Sequence, residues 1–124
     1  MNILIVDDDP DFVTLTKCWL EREGHAVSHA GTGPAALSAL AADPLPDLVV
    51  LDVLLPRIDG FTLLKRIRAD ERLRGLPVII VSSFDRHQDI AHGKELGADD
   101  YLVKPLMEYH FLGRVARFAK PPKT

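Results

Sequence analysis

Five short apolar runs, each followed by a stretch with helical spacing, fill nearly the whole chain. They are residues 2–6 (NILIV), 25–29 (HAVSH), 47–51 (DLVVL), 77–82 (PVIIVS) and 101–103 (YLV). The first, third and fourth are almost wholly apolar, the pattern of strands covered on both faces in a parallel sheet. The second alternates weakly and belongs at an edge. Asp9-Pro10 reads as an N-cap and first helical residue. The helix it opens carries Phe12, Leu15, Trp19 and Leu20 at core spacing and stops at Gly24. A second helix starts near Thr32, holds Ala36, Leu37 and Leu40, and ends before Pro44 and Pro46. A third begins after the Asp59-Gly60 turn, with Phe61, Leu64 and Ile67 on one face, and frays in ADERLRG. The fourth, capped by Asp85 and ending at Gly97, is poor in large apolar residues. The last runs from about Met107 to Ala119, with Phe111, Leu112, Val115 and Phe118. Repeated βα units with right-handed crossovers imply an α/β fold, a doubly wound parallel sheet with helices on both faces.

At 124 residues the chain holds one domain and one core. A net charge of −3 exerts no general pull toward nucleic acid or anionic lipid. No apolar run approaches the ~20 residues needed to span a bilayer. The start, MNILIVDDD, lacks a basic region and meets acid at once, unlike a signal peptide; the expected location is cytoplasmic. The single cysteine, Cys18, allows no internal disulfide or cysteine-based zinc site and reads as a small buried or half-buried residue. The histidines, His25, His29, His87, His92 and His110, are scattered and read as structural or surface residues.

Charge changes the picture at the strand ends. Asp7, Asp8, Asp9 and Asp11 follow the first run, Asp52 follows the third, and Lys104 follows the fifth. Adjacent carboxylates raise one another's proton affinity, which a cation or a cationic side chain relieves. Right-handed crossovers gather Asp7, Asp8, Asp52, Ser82 and Lys104 at the carboxyl edge of the sheet, where open parallel sheets place ligands. Hard oxygen donors without His or Cys suit Mg²⁺. Aspartate can act as a nucleophile toward phosphoryl groups, with the metal and Lys104 offsetting charge on the transferring group. The Ser82 hydroxyl could donate to a phosphoryl oxygen.

The segments IVDDDP, DVLLPRIDG, VSS and GADDYLVKP, in that order and spacing, resemble the receiver domain of bacterial two-component response regulators, which is CheY-like. The resemblance covers residues 1 to about 119, leaving 120–124 as a tail or the start of a linker. It implies a flavodoxin-like sheet of five strands ordered 2-1-3-4-5. It further implies that Asp52 is the phosphoacceptor, and that Asp7, Asp8, Asp52 and the Leu54 backbone carbonyl hold Mg²⁺. Lys104 then contacts the phosphoryl group, Ser82 is the switch hydroxyl and Tyr101 the switch aromatic. The bond before Pro105 is often cis in this family. Leu54 and Phe84 flank the approach of a hydrolytic water; both are apolar here, which implies slow loss of the phosphoryl group.

The implied function is a signalling module rather than an enzyme. It accepts a phosphoryl group from a sensor histidine kinase or phosphotransfer protein in a phosphorelay and switches a face made by helix 4, strand 5 and helix 5. That face would serve an output domain or effector, with no direct contact to nucleic acid or membrane. Asp100 and Arg114 match a charged pair that joins dimers in DNA-binding relatives, whereas Ile90 and His110 replace other charged members. A monomer before phosphorylation and a weak dimer at most afterwards are expected. Asp99 and Asp100 otherwise read as solvated or partner-facing. A phosphohydrolase with a nucleophilic Asp and Mg²⁺ accounts for Asp7 and Asp9 but leaves Asp52 unused. A pseudo-receiver that only binds partners leaves the full acidic set unused.

Overall fold

A computed structural model describes residues 1–119; the expected tail at 120–124 lies outside the described residues. The strands are β1 (Asn2–Val6), β2 (Ala26–Ala30), β3 (Leu48–Leu51), β4 (Val78–Ser82) and β5 (Asp100–Val103). They alternate with α1 (Pro10–Arg22), α2 (Gly33–Ala41), α3 (Gly60–Ala69), α4 (His87–Glu95) and α5 (Glu108–Ala116). All neighbouring strands pair in parallel, in the order β2-β1-β3-β4-β5. The fold is therefore the doubly wound sheet expected, with the weakly alternating β2 at an edge.

Two apolar layers explain the unbroken central strands. Leu48 and Val50 of β3 join α1 and α5 residues on one face, including Val13, Leu20, Phe111 and Val115. Val49 and Leu51 join α2 and α3 residues on the other, including Ala36, Leu40, Leu64 and Ile67. Each large aliphatic side chain so buried contributes roughly 1.5–3 kcal/mol, and the central strands collect this on both faces.

Local chemistry sets most helix starts. The Asp9 carboxylate accepts from the Asp11 and Phe12 amides with Pro10 in the first turn, and α1 is followed by Gly24 at φ 88°. Thr32 caps α2 by accepting from Ala35, and Asp59 caps α3 by accepting from Thr62.

Several local expectations are corrected. Arg86, not Asp85, precedes α4, and no side chain caps it. The last helix ends at Ala116 rather than Ala119. In α1 the buried positions are Val13, Thr16 and Leu20, while Leu15 is exposed. Thr16 takes a core position because its hydroxyl donates to the Phe12 carbonyl within its own helix, leaving no unpaired polar group. Trp19 packs at the margin, its ring 6.2 Å from that of Phe111. Cys18 is exposed, on the outward side of α1.

Candidate functional site

The carboxyl ends of β1, β3 and β5 converge. Asp7 and Asp8 follow β1, Asp52 follows β3 and Lys104 follows β5. One carboxylate oxygen from each of Asp7, Asp8 and Asp52 lies within 4.8 Å of the others. Asp7 and Asp52 are buried, at 1% and 7% exposure, while Asp8 faces solvent. Asp9 serves both as the α1 cap and, through its amide, as a donor to Asp7 Oδ1 at 2.9 Å.

Lys104 joins the two buried acids. Its Nζ donates to Asp7 Oδ2 at 2.8 Å and lies 3.5 Å from Asp52 Oδ2. The ammonium also sits 4.2 Å from the centre of the Phe12 ring, a favourable cation–π position. The Lys104-Pro105 bond is cis, as the family resemblance implied.

Asp52 is electrostatically loaded. Burial pushes its pKa above the ordinary value, the Asp7 charge adds to the rise, and Lys104 and the Leu54 amide oppose it. Burial works against the charged form of Lys104, yet the hydrogen bond to Asp7 and the charges of Asp52 and Asp7 hold its pKa above normal. Three converging carboxylates, two of them sharing the Lys104 ammonium, fit a small divalent cation: the donors are hard oxygens, one of them open to solvent. The donor set thus matches Mg²⁺ chemistry.

The loop after β3 folds back over the acid. The Leu54 amide donates to Asp52 Oδ1 at 3.3 Å, and Leu54's side chain is exposed. The Gly60 amide donates to the Val53 carbonyl at 2.7 Å. A Cβ on Gly60 would fall 2.2 Å from the Asp52 carbonyl oxygen, so the close approach of the two backbones requires Gly60, while Asp59 is required by the α3 cap. Arg57 in this loop takes φ 71°.

Ser82 and Tyr101 are linked through one residue. Ser82 is fully buried, and its Oγ accepts from the Phe84 amide at 3.1 Å. The Tyr101 hydroxyl donates to the Phe84 carbonyl at 2.8 Å. The Tyr101 ring is buried against α4, where a Cβ on Gly93 would fall 3.0 Å from it. Phe84 itself is half-buried against the α2–α4 core layer.

One expectation about the acidic pair at the start of β5 is corrected and the other is refined. Asp99 accepts from Arg68 at 3.0 Å and from the Val78 amide at 2.8 Å. Asp100 is buried and pairs with Arg114 of the same chain at 2.7 and 3.0 Å. Asp100 is thus a buried internal tie, whereas Asp99 makes its two bonds while remaining exposed to solvent.

This arrangement coincides with a known family. The family model for the response regulator receiver domain matches residues 3–116. The chain belongs to that family. The receiver domain is 43% identical over 114 residues to the DNA-binding dual master transcriptional regulator RpaA of Synechocystis sp., covering 92% of this chain and 47% of that protein. The chain thus spans about half the length of this curated relative. A response regulator from Chloroflexus aurantiacus superposes with a TM-score of 0.89 at 36% identity, over 94% of this chain and 95% of that one. The receiver domain of a Pseudomonas aeruginosa sensor histidine kinase, solved with a magnesium ion coordinated in its active-site cleft, superposes with a TM-score of 0.85 at 27% identity. That match covers 94% of this chain and 95% of that one. This is a two-component receiver domain, and no helix among its described residues is long and apolar enough to cross a membrane.

Sequence reasoning missed three contacts of this site. Phe12 has the spacing of a core position in the sequence, yet its ring lies beneath the Lys104 ammonium. Asp59-Gly60 marks a turn in the sequence, which does not reveal the approach of Gly60 to the Asp52 backbone. His29 donates from Nε2 to the Asp7 carbonyl at 2.8 Å, and no sequence signal separates it from the other histidines.

Proposed function

We propose that this receiver domain takes a phosphoryl group onto Asp52 from the phosphohistidine of a sensor histidine kinase or phosphotransfer protein. The observation that carries this reading is the Lys104 ammonium shared between Asp7 and Asp52 at 2.8 and 3.5 Å, beside the solvent-facing Asp8. A phosphohydrolase reading would leave Asp52 without a role. The chain modifies its own side chain, so it works as a cytoplasmic signalling module rather than a turnover enzyme.

Asp7, Asp8, Asp52 and the Leu54 carbonyl are the groups that would hold Mg²⁺. When bound, the cation supplies positive charge for the phosphoryl oxygens and relieves the repulsion among the acids. Asp52 supplies the nucleophilic carboxylate oxygen. An O–P bond forms as the N–P bond to the donor imidazole breaks, the electron pair staying on the departing nitrogen. Lys104, held by Asp7, offers its ammonium to the incoming charge, and the Ser82 hydroxyl turns from Phe84 toward a phosphoryl oxygen. Because Phe84 bonds both Ser82 and Tyr101, that turn loosens the tie of Tyr101. The α4-β5-α5 face thereby changes toward an output domain or effector.

An open groove of about 400 Å³, lined by Phe12, Leu15, Trp19, Lys104 and Leu106 among others, adjoins the acid cluster and supports approach of the phosphodonor from that side.

The test is incubation with acetyl phosphate and Mg²⁺, read by phosphate-affinity electrophoresis. The parent should gain one stable label, and Asp52→Asn none. An unlabelled parent, or full labelling of Asp52→Asn, overturns the assignment.

A further inference from the structure

Asp7 and Asp8 are neighbours, yet their carboxylates are positioned by different means. The Asp7 carboxylate is fixed by the Asp9 amide and Lys104. The exposed Asp8 side chain makes no hydrogen bond or ion pair among the described residues, so what the fold fixes is the direction in which its Cα–Cβ bond leaves the backbone. The peptide joining the two residues therefore sets the side from which the Asp8 carboxylate can reach Asp7 and Asp52.

That peptide lies where the sheet stops. The β1–β2 ladder pairs Ile5 with His29 and Val6 with Ala30, and the Asp7 amide still donates to the Ala30 carbonyl at 3.1 Å. In a continuing parallel ladder, the Asp7 carbonyl would accept from an amide further along β2. The chain instead turns away to the Thr32 cap of α2. The Asp7 carbonyl would be left without a partner, which a buried backbone group does not tolerate. His29 fills the place with its side chain, Nε2 lying 2.8 Å from that carbonyl oxygen. A carbonyl only accepts, so Nε2 carries the hydrogen.

We propose that His29 is a positioning residue for the cation site: its Nε2–H fixes the Asp7–Asp8 peptide and thereby turns the Asp8 carboxylate toward Asp7 and Asp52. The inference rests on the reading of these acids as a Mg²⁺ site. Groups one step behind metal ligands commonly set affinity by holding the ligands in place. His29 contacts a backbone atom and no substrate, so its effect falls on binding of the cation and not on the nucleophile.

The experiment is calorimetric titration of the 124-residue chain with Mg²⁺ alone, at one pH, for the parent, His29→Ala, His29→Gln, Asp8→Asn and the distant control His110→Ala. Glutamine can offer its amide N–H near the place of Nε2. His29→Ala should weaken Mg²⁺ about tenfold, with His29→Gln returning to within about threefold of the parent and His110→Ala unchanged. A readout without metal accompanies it: the Asp8 amide resonance should move in His29→Ala and move back in His29→Gln. Parental affinity in His29→Ala overturns the proposal. So does an equal loss in His29→Gln with the Asp8 resonance still displaced. If the parent itself binds no Mg²⁺, the cation reading fails first and the inference falls with it. That result is distinguished by the titration of the parent and Asp8→Asn alone.

Discussion

Lys104 is held more closely by Asp7 than by Asp52, at 2.8 against 3.5 Å. The ammonium is therefore anchored on the acid that is not modified and leans toward the one that is. Its anchor survives a change of charge on Asp52.

Lys104→Met keeps an unbranched side chain of similar length and removes the charge that sits over Phe12. With chelator present at pH 7, the variant should lose about 2–3 kcal/mol, somewhat less than a fully buried broken pair. The loss should shrink on acidification, as Asp52, whose pKa is already raised, takes up a proton. In the parent, Lys104 has a raised pKa, so its contribution is complete below the ordinary lysine value and fades as pH climbs through the higher native one. Urea unfolding at neutral, acidic and alkaline pH measures both trends; an unchanged midpoint at pH 7 would refute the first.

Asp52→Asn should stabilise the metal-free domain. A native pKa raised above the unfolded value means that the native state is favoured by protonated Asp52 at low pH and loses that advantage as pH rises through the native pKa. Asparagine carries no such penalty. The gain at pH 7 should be on the order of 1 kcal/mol and diminish as pH falls through the native pKa. Melting curves in chelator at pH 7 and pH 4 decide it, and a less stable variant at pH 7 contradicts the expectation.

Arg57 adopts φ 71° in the loop beyond Asp52, a left-handed conformation that costs a long side chain roughly 1 kcal/mol. Arg57→Asn should recover about 0.5–1 kcal/mol, because asparagine tolerates that region. Labelling of Asp52 should persist. A lower unfolding midpoint would mean that the arginine side chain makes a compensating contribution.

Arg114 closes on Asp100 within its own chain, the pair that the family resemblance associates with dimers. Arg114→Ala leaves a buried carboxylate without its cation and should cost about 2–3 kcal/mol. Sedimentation should find the unmodified parent monomeric and the phosphorylated form weakly associated at most. A tight phosphorylated dimer that Arg114→Ala abolishes would show that the arginine exchanges its partner.

Leu54 is 54% exposed, whereas Phe84 packs against the core. Leu54→Asn is therefore the cleaner probe of phosphoryl lifetime, and Phe84→Glu would also disturb packing. An amide beside the acceptor can orient a water, and a tenfold faster decay needs only ~1.4 kcal/mol of barrier. Decay of purified phosphoprotein should quicken several-fold in Leu54→Asn. Equal decay rates would remove Leu54 as a determinant of lifetime.

Features governed by neighbours in the chain were legible without coordinates. The Asp9-Pro10 start of α1, the Thr32 cap and the Asp59-Gly60 entry to α3 depend on side chains bonding amides two or three residues away. The acids at the ends of β1 and β3 and Lys104 beyond β5 were readable too, because parallel strands with right-handed crossovers must end on one edge. What neighbours across the fold control was not. Strands apolar on both faces do not say which helix covers which side, so the buried stripe of α1 was placed on Leu15 rather than Val13 and Thr16. The burial of Asp100 was not legible because its partner, Arg114, lies on another element. His29 could be assigned only once β2 was seen to leave the sheet beside Asp7. Sequence determines which groups carry charge and where each strand ends; only packing decides which carbonyl a departing strand leaves for a side chain to bond.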